Sequence, residues 1–375
     1  MDESGLDLAC LSSLQIDGEE VERIDYNLHI LYKRVHPCGV RIMGGGEDTG
    51  LSVEVEQERE VTKEYYADRH FVASFKQDRN LAGTWKRDLK WYPGAQEFSV
   101  ERGVMGIHGI SLSGGAGDVS LVADDDSLTC VGKYYGSVYS TAETPLFAAD
   151  TLPRVTLVDL SKTKLTTVGN HALAGYRGEL RLPGTVAKIG TRAFVGAGWF
   201  AKEVNLGGVT ELSYAALEGT GIVSVTAPDV TLAGLAEMSE VERIDISESP
   251  MTTLRHQTFM NCPKLREVLL PNGLQKVQGT SSNTPFKGCT SLERIVMPGS
   301  LTAISNYALR YCPGLKVLDL CTNSDLSTLV TLSGTNQFED APADYRILVP
   351  RELYDRYVAD TKWSVFKNHI EAGER

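Results

Sequence analysis

Seven cysteines, seven histidines and one short acidic run are the parts of this 375-residue chain whose side chains could do chemistry. A redox or nucleophilic thiol pair needs two sulfurs on one turn, which C-x-x-C spacing supplies. No such spacing occurs among Cys10, Cys38, Cys130, Cys262, Cys289, Cys312 and Cys321. Their number is odd, so a disulfide framework is not expected. The histidines, His29, His36, His70, His108, His171, His256 and His369, are scattered. His36 and Cys38 stand together in HPC, but no second ligand pair follows, and an ordinary turn is expected there. Asp124, Asp125 and Asp126 could offer carboxylate oxygens to Ca2+ but lack the D-x-D-x-D-G spacing of a calcium loop. A solvated loop tip is the plainer reading, with Ca2+ left open. The runs GGG and GGAG precede no Lys-Ser/Thr, and GxGxxG, GxSxG and HExxH are absent. The expectation is therefore no catalytic residue, no metal and no cofactor: a protein that is not an enzyme.

Three of the cysteines do carry a pattern, and it leads to the elements that place them. Cys262, Cys289 and Cys312 lie 27 and 23 residues apart. Each stands three residues past Phe259, Phe286 or Leu309. MTTLRHQTFMNCPKL and LTAISNYALRYCPGL repeat one sentence, and LRLPGTVAKIGTRAF, VNLGGVTELSYAAL and VLLPNGLQKVQGTSSNTPF share its grammar. An apolar-x-apolar step is followed by single aliphatic anchors and an Ala-Phe-like close, every 19 to 27 residues. One such unit cannot enclose a core; stacked copies bury one another. Leu182, Leu206, Ile246, Leu270, Met297 and Leu320 are expected in one buried column. Phe194, Leu217, Phe259, Phe286 and Leu309 are expected in a second. Parallel strands are expected, ended by Pro183, Pro271 and Pro298 where no N–H is needed. The cysteines then form a buried ladder of small groups, which free thiols suit. Between the inward positions an outward row remains: Arg181, Asn205, Thr226, Asp245, Leu269, Val296 and Asp319. It turns from polar to apolar at Leu269 and Val296 and is the candidate binding surface.

This grammar resembles the BspA-type leucine-rich repeats of bacterial surface antigens, most closely in LRLPGTVAKIGTRAF and IVMPGSLTAISNYALRYCPGL, over about residues 155 to 345. The resemblance implies a scaffold for adhesion and protein binding, not a chemistry. After it, Ile347 to Val349 read as one more strand ended by Pro350. A helix carrying Leu353, Tyr354, Tyr357, Val358, Trp363, Phe366 and Ile370 should close the last coil as a cap.

At the front, Leu14 and Ile16 alternate, Asp17-Gly18 makes a turn, and Val21 and Ile24 follow. A strand from Leu28 through Ile30 to Tyr32 completes a β-meander. The segment resembles the opening of tail-associated proteins of phages and prophages of gut bacteria, with Asn27 where a second glycine is usual. It implies an assembly anchor built on those apolar residues. MGGGEDTG reads as a flexible joint, and LSVEVEQ, HFVASFK, EFSVERG and VSLVA as a small, sandwich-like β-domain. Tyr134, Tyr135 and Tyr139 read as a half-buried strand, with a sugar- or protein-contacting face as the other reading. The fold class expected is mainly β. The anchor takes residues 1–43, the linker 44–50, the β-domain 51–150, the parallel-strand solenoid 151–345, and the strand with its capping helix 346–375.

The net charge of −12 argues against nucleic acid and anionic membrane as partners. No apolar run is long enough to insert in a bilayer, and no secretory leader is read at the N-terminus. The expectation is a structural and interaction protein of a bacteriophage virion, on tail or capsid, homo-oligomeric within its assembly. Its N-terminal part would bind other virion proteins. Its repeat surface would bind a host surface protein or glycan, or a neighbouring virion protein. The alternative is a bacterial cell-surface adhesin.

Overall fold

The structure is a computed structural model. It describes backbone and side chains of residues 105–110, 118–123, 126–133, 143–198, 201–322 and 325–374, and the backbone alone of the strands before and between them. The chain divides into two compact units. One comprises residues 1–132, 145–165 and 178–183; the other comprises 133–144, 166–177 and 184–375.

The first unit changes pairing mode along its length. Leu11–Ile16 pairs antiparallel with Glu19–Glu20 and with Gly39–Gly44, and Gly39–Gly44 with Glu47–Glu54. Leu28–Lys33 does not continue that sheet as a meander would; it pairs with Thr62–Ala67, which leads on to Ala73–Gln77 and Trp85–Trp91. Of the glycine-rich joint expected at 44–50, Gly44 and residues 47–50 lie in two antiparallel strands. Leu14, Ile16, Leu28, Ile30 and Tyr32 fall in these strands, while Val21, Ile24, His36, Cys38 and Tyr134, Tyr135 and Tyr139 lie outside the described residues.

From Trp85 onward the pairing becomes parallel. Trp85–Trp91 takes Gly106–Ile107, which takes Cys130–Val131. On a second ladder Glu97–Ser99, Val119–Val122, Val155–Asp159 and Glu179–Arg181 follow one another, all parallel. The stretches EFSVERG and VSLVA are thus strand steps of degenerate coils, not a sandwich. The parallel ladder begins well before residue 151. A long insertion between Val119–Val122 and Val155–Asp159 hides the period of these early steps.

In the second unit each coil contributes one longer strand and one two-residue strand. Glu203–Asn205, Ser224–Thr226, Arg243–Asp245 and Glu267–Leu269 form one parallel sheet; Arg294–Val296, Val317–Asp319, Arg346–Pro350 and Ile370–Gly373 form another. The two-residue strands, such as Lys276–Val277 and Ala303–Ile304, run parallel beside them. The apolar-x-apolar step explains the first ladder: its flanks point inward. Leu206, Ile246, Leu270, Met297 and Leu320 are buried, as are Phe194, Leu217, Phe259, Phe286 and Leu309. Leu182, expected in the first column, is only half-buried. Phe259 and Phe286 stack with ring centroids 5.4 Å apart, a contact worth about 0.5–1.5 kcal/mol beyond burial.

The C-terminal cap differs from one helix. Tyr354–Ala359 is helical for six residues, Trp363–His369 is a 3-10 segment, and Ile370–Gly373 is a final strand parallel to Arg346–Pro350. Asp360 causes the break: it turns to ψ 140°. Its Oδ1 accepts the N–H groups of Lys362 and Trp363 at 2.9 and 3.0 Å, so it opens the next turn instead of extending the helix. Leu353, Tyr357, Trp363, Phe366 and Ile370 are nonetheless buried, as a cap requires.

Candidate functional site

The outward strand row exists as register. Asn205, Thr226, Asp245 and Leu269 face one another in successive strands, and Val296 faces Asp319. Arg181, in the other unit, stands opposite Asp159. Exposure along the row is uneven. Arg181, Asn205 and Val296 are exposed, and Thr226, Asp245 and Leu269 are half-buried. Asp319 is 5% exposed and so drops out of an accessible row.

One constraint runs along the row: the turn after each strand. Asp159 Oδ1 accepts the Ser161 N–H and hydroxyl at 3.0 and 2.6 Å. Asn205 Oδ1 accepts the Gly207 N–H at 2.9 Å, Asp245 Oδ1 that of Ser247 at 3.1 Å, and Asp319 Oδ1 that of Cys321 at 2.8 Å. These are Asx turns. At Arg181, Thr226, Leu269, Val296 and Leu348 the residue two further on is proline, which has no N–H to satisfy. From Asp159 to Leu348 each coil therefore closes with an Asx side chain or with a proline. Side-chain identity in the row is set first by this turn, and it is free of that duty only in the proline coils.

Charge on the row is also spent locally. Arg243 reaches Glu267 at 2.9 Å and Asp245 at 3.2 Å, and Arg294 reaches Asp319 at 2.5 Å. The Ser161 hydroxyl draws the Asp159 carboxyl below its ordinary range against a burial that raises it; the Ser161 N–H and Arg181 add to the lowering. What is left without such duties is Thr226, half-buried, and Leu269 beside Val296, the last 41% exposed. The Glu267–Leu269 and Arg294–Val296 strands lie side by side yet belong to separate hydrogen-bonded sheets.

A second face was not among the sequence expectations. After each two-residue strand the chain makes a turn with backbone in the left-handed region. All nine non-glycine residues with positive φ among those described lie on such turns: His171, Arg192, Ala215, Glu237, Gln257, Asn261, Tyr307, Tyr311 and Asp340. Two residues past the buried Phe or Leu, four coils place Gly175, Gly196, Gly219 and Gly288, also at positive φ. Side chains on this face are linked: Tyr214 Oη and Asn261 Nδ2 both donate to Glu237 Oε1, at 2.7 and 2.8 Å, and Arg192 pairs with Glu218 at 2.8 Å. Recurrent glycine at the left-handed position was the one clue available, and half the coils lack it.

The repeat cysteines are buried and free. Each thiol donates across to the coil before it: Cys262 to Leu235 O at 3.3 Å, Cys289 to Phe259 O at 3.1 Å and Cys312 to Phe286 O at 3.5 Å. Burial pushes the Cys262 thiol up to about 12 and the other two upward as well. They are packing groups with a weak donor, not nucleophiles. Asp126, in the acidic run, pairs with Lys164 at 2.7 Å. Among the described residues no group of three or more His, Cys, Asp or Glu could hold a metal ion, and no helix is long and apolar enough to cross a membrane.

Residues 166–281 and 234–336 match a family model described as BspA type leucine rich repeat region, in six copies that together span somewhat under half of the chain. No curated protein matches. Several solved structures are similar at low identity, three of which follow. A leucine-rich repeat protein from Bacteroides ovatus is 13% identical, with a TM-score of 0.27, over 80% of this chain and 98% of that one. A leucine-rich cell surface protein from Faecalibacterium prausnitzii is 14% identical, with a TM-score of 0.26, over 76% and 93%. The Pneumococcal vaccine antigen PcpA is 11% identical, with a TM-score of 0.20, over 82% and 96%. Likenesses at this level carry no functional argument.

Proposed function

We propose that this leucine-rich repeat chain is a non-enzymatic interaction protein that meets a protein partner through the strand face at Leu269 and Val296. One observation carries the reading. Among the described residues Val296 is one of the few large apolar side chains that are exposed, on a row whose charged members are taken up by turns and ion pairs. Site-specific photo-crosslinking at position 296 in the producing bacterium, with position 205 as control, tests it. A discrete partner at 296 and none at 205 is expected; equal labelling at both refutes the patch.

For the setting, the repeat class favours the outside of a bacterium, since the resemblance to surface antigens covers the larger part of the chain. The loose resemblance at Leu14 to Tyr32 favours instead a virion, with the front half as anchor to neighbouring virion proteins. Protease shaving of intact cells, set beside a protein inventory of purified particles, decides between them. Loss of the repeat from shaved cells supports the first, and stoichiometric presence in particles the second.

A further inference from the structure

The coil that carries Tyr307 and Tyr311 is unlike the others on its turn face. Both of its left-handed positions are tyrosines, with φ 65° and 61°. For a bulky side chain this is an outlier conformation: the coil before takes Gly288 where this one has Tyr311, and among the described residues no other coil places a tyrosine at either position. Arg310 lies between them. Its guanidinium stands 4.3 Å from the Tyr311 ring and 5.6 Å from that of Tyr307, and Lys287 sits 5.3 Å from the Tyr311 ring. The same guanidinium donates to Ser281 O at 2.8 Å and to Glu339 at 3.0 Å, with Asp340 at 3.6 Å. Lys287 donates to Ser282 O at 2.9 Å. The loop Thr280–Asn283, which lengthens this coil, is thereby fixed against the tyrosines, its ends closed by Thr280 and Asn283 on each other. Pinning that loop needs Arg310 and Lys287; it does not need a ring at either strained position.

The chemistry of the cluster narrows what it could hold. A ligand of either net charge would meet both two cations and two carboxylates. An apolar ligand would need exposed apolar surface, and the exposed large hydrophobics, Met105, Val296 and Val365, are elsewhere. A neutral polyhydroxylated ligand fits: its hydroxyls can donate to Glu339 and Asp340, accept from the loop hydroxyls of Ser281 and Ser282, and its C–H faces can lie on tyrosine rings. We infer that the Tyr307–Arg310–Tyr311 cluster, with Glu339, Asp340 and the 280–283 loop, is a binding site for a neutral oligosaccharide. It is separate from the strand patch at Val296.

The test is saturation-transfer NMR and titration of the full chain with neutral gluco-, galacto-, manno- and xylo-oligosaccharides of four to six units, beside uronic-acid and sulfated oligosaccharides of the same length. At least one neutral member should bind. Tyr307→Ala and Glu339→Gln should each weaken it about tenfold, the loss expected for a ring or hydrogen-bond contact. Tyr311→Gly should abolish binding without lowering the melting temperature, since it relieves the left-handed strain. Val296→Asp should leave binding unchanged. No binding in the millimolar range, equal binding by the variants, a preference for the charged sugars, or loss on Val296→Asp would each overturn the proposal.

Discussion

The indole nitrogen of Trp363 donates to the carbonyl of Val330 at 2.6 Å, while the N–H of the same valine donates to the Tyr357 hydroxyl at 3.1 Å. The two rings meet edge to face at 5.1 Å and are both buried. One residue of the last coil thus has both its backbone groups satisfied by the cap. Without the cap they would lie at an open end of the solenoid.

Trp363→Phe keeps most of the volume and removes the donor. It should cost about 1–3 kcal/mol, the penalty of an unpaired buried carbonyl, and Trp363→Ala about 3–5 kcal/mol. Urea unfolding reads both. Removing residues 350–375 should leave a protein that aggregates on concentration; a monomeric truncate with an unchanged midpoint contradicts the capping role.

The turn rule can be tested by exchanging its two solutions. Asp245→Ala strips the acceptor from the Ser247 N–H and should destabilise by about 1 kcal/mol. Adding Ser247→Pro to that variant should recover part of the loss, because the orphaned donor is gone and the unfolded chain is stiffer. Ser247→Pro alone should gain less. A double variant weaker than both singles shows that the alternation is not a turn rule.

Acid should weaken the repeat through the same residues. The carboxyls of Asp159 and Asp325 are held low chiefly by hydroxyl bonds from Ser161 and from Ser327 and Thr328, that of Asp325 at about 2. In Asp245 burial raises the value, but the Ser247 and Arg243 interactions outweigh it and the net shift is downward. Folded values below the unfolded value of about 3.9 mean stability that is full above that pH and lost as pH falls through the folded values. Melting temperature should hold from pH 7 to 5 and drop below about 4. Asp245→Asn, which still accepts from Ser247 but cannot titrate, should flatten part of that drop.

The thiol ladder should be inert. With Cys262 near 12, and Cys289 and Cys312 also raised by burial, iodoacetamide at pH 8 should label none of the three in the native protein and all three in denaturant without reductant. Peptide mass mapping distinguishes this from disulfide formation, which leaves a pair unlabelled in denaturant.

What the sequence showed follows from what repeats in it. The apolar-x-apolar step recurs with Leu206, Ile246 and Leu270, and the closing aromatic with Phe194, Phe259 and Phe286, so the ladder and its two columns could be read directly. The early coils could not, because a long insertion separates Val119–Val122 from Val155–Asp159 and breaks the period. The last strand, Ile370–Gly373, has little strand propensity; it is strand because Arg346–Pro350 offers it an edge. The strand row was legible as a row, but its first duty, closing turns, appears only when Asp245 is seen on the Ser247 N–H. The turn face was missed because backbone sign is invisible in residues such as Tyr307 and Tyr311.

The Asx-or-proline closure is local to each coil: acceptor and donor are two residues apart, and the neighbour is not consulted. Such an array can gain or lose a whole coil by recombination without a matching change elsewhere in its turns. Ion pairs such as Arg294–Asp319 do reach the next coil and would have to be replaced. The length of this protein is therefore a quantity that selection can adjust in steps of one coil, while the junctions on its charged surface set which steps are neutral.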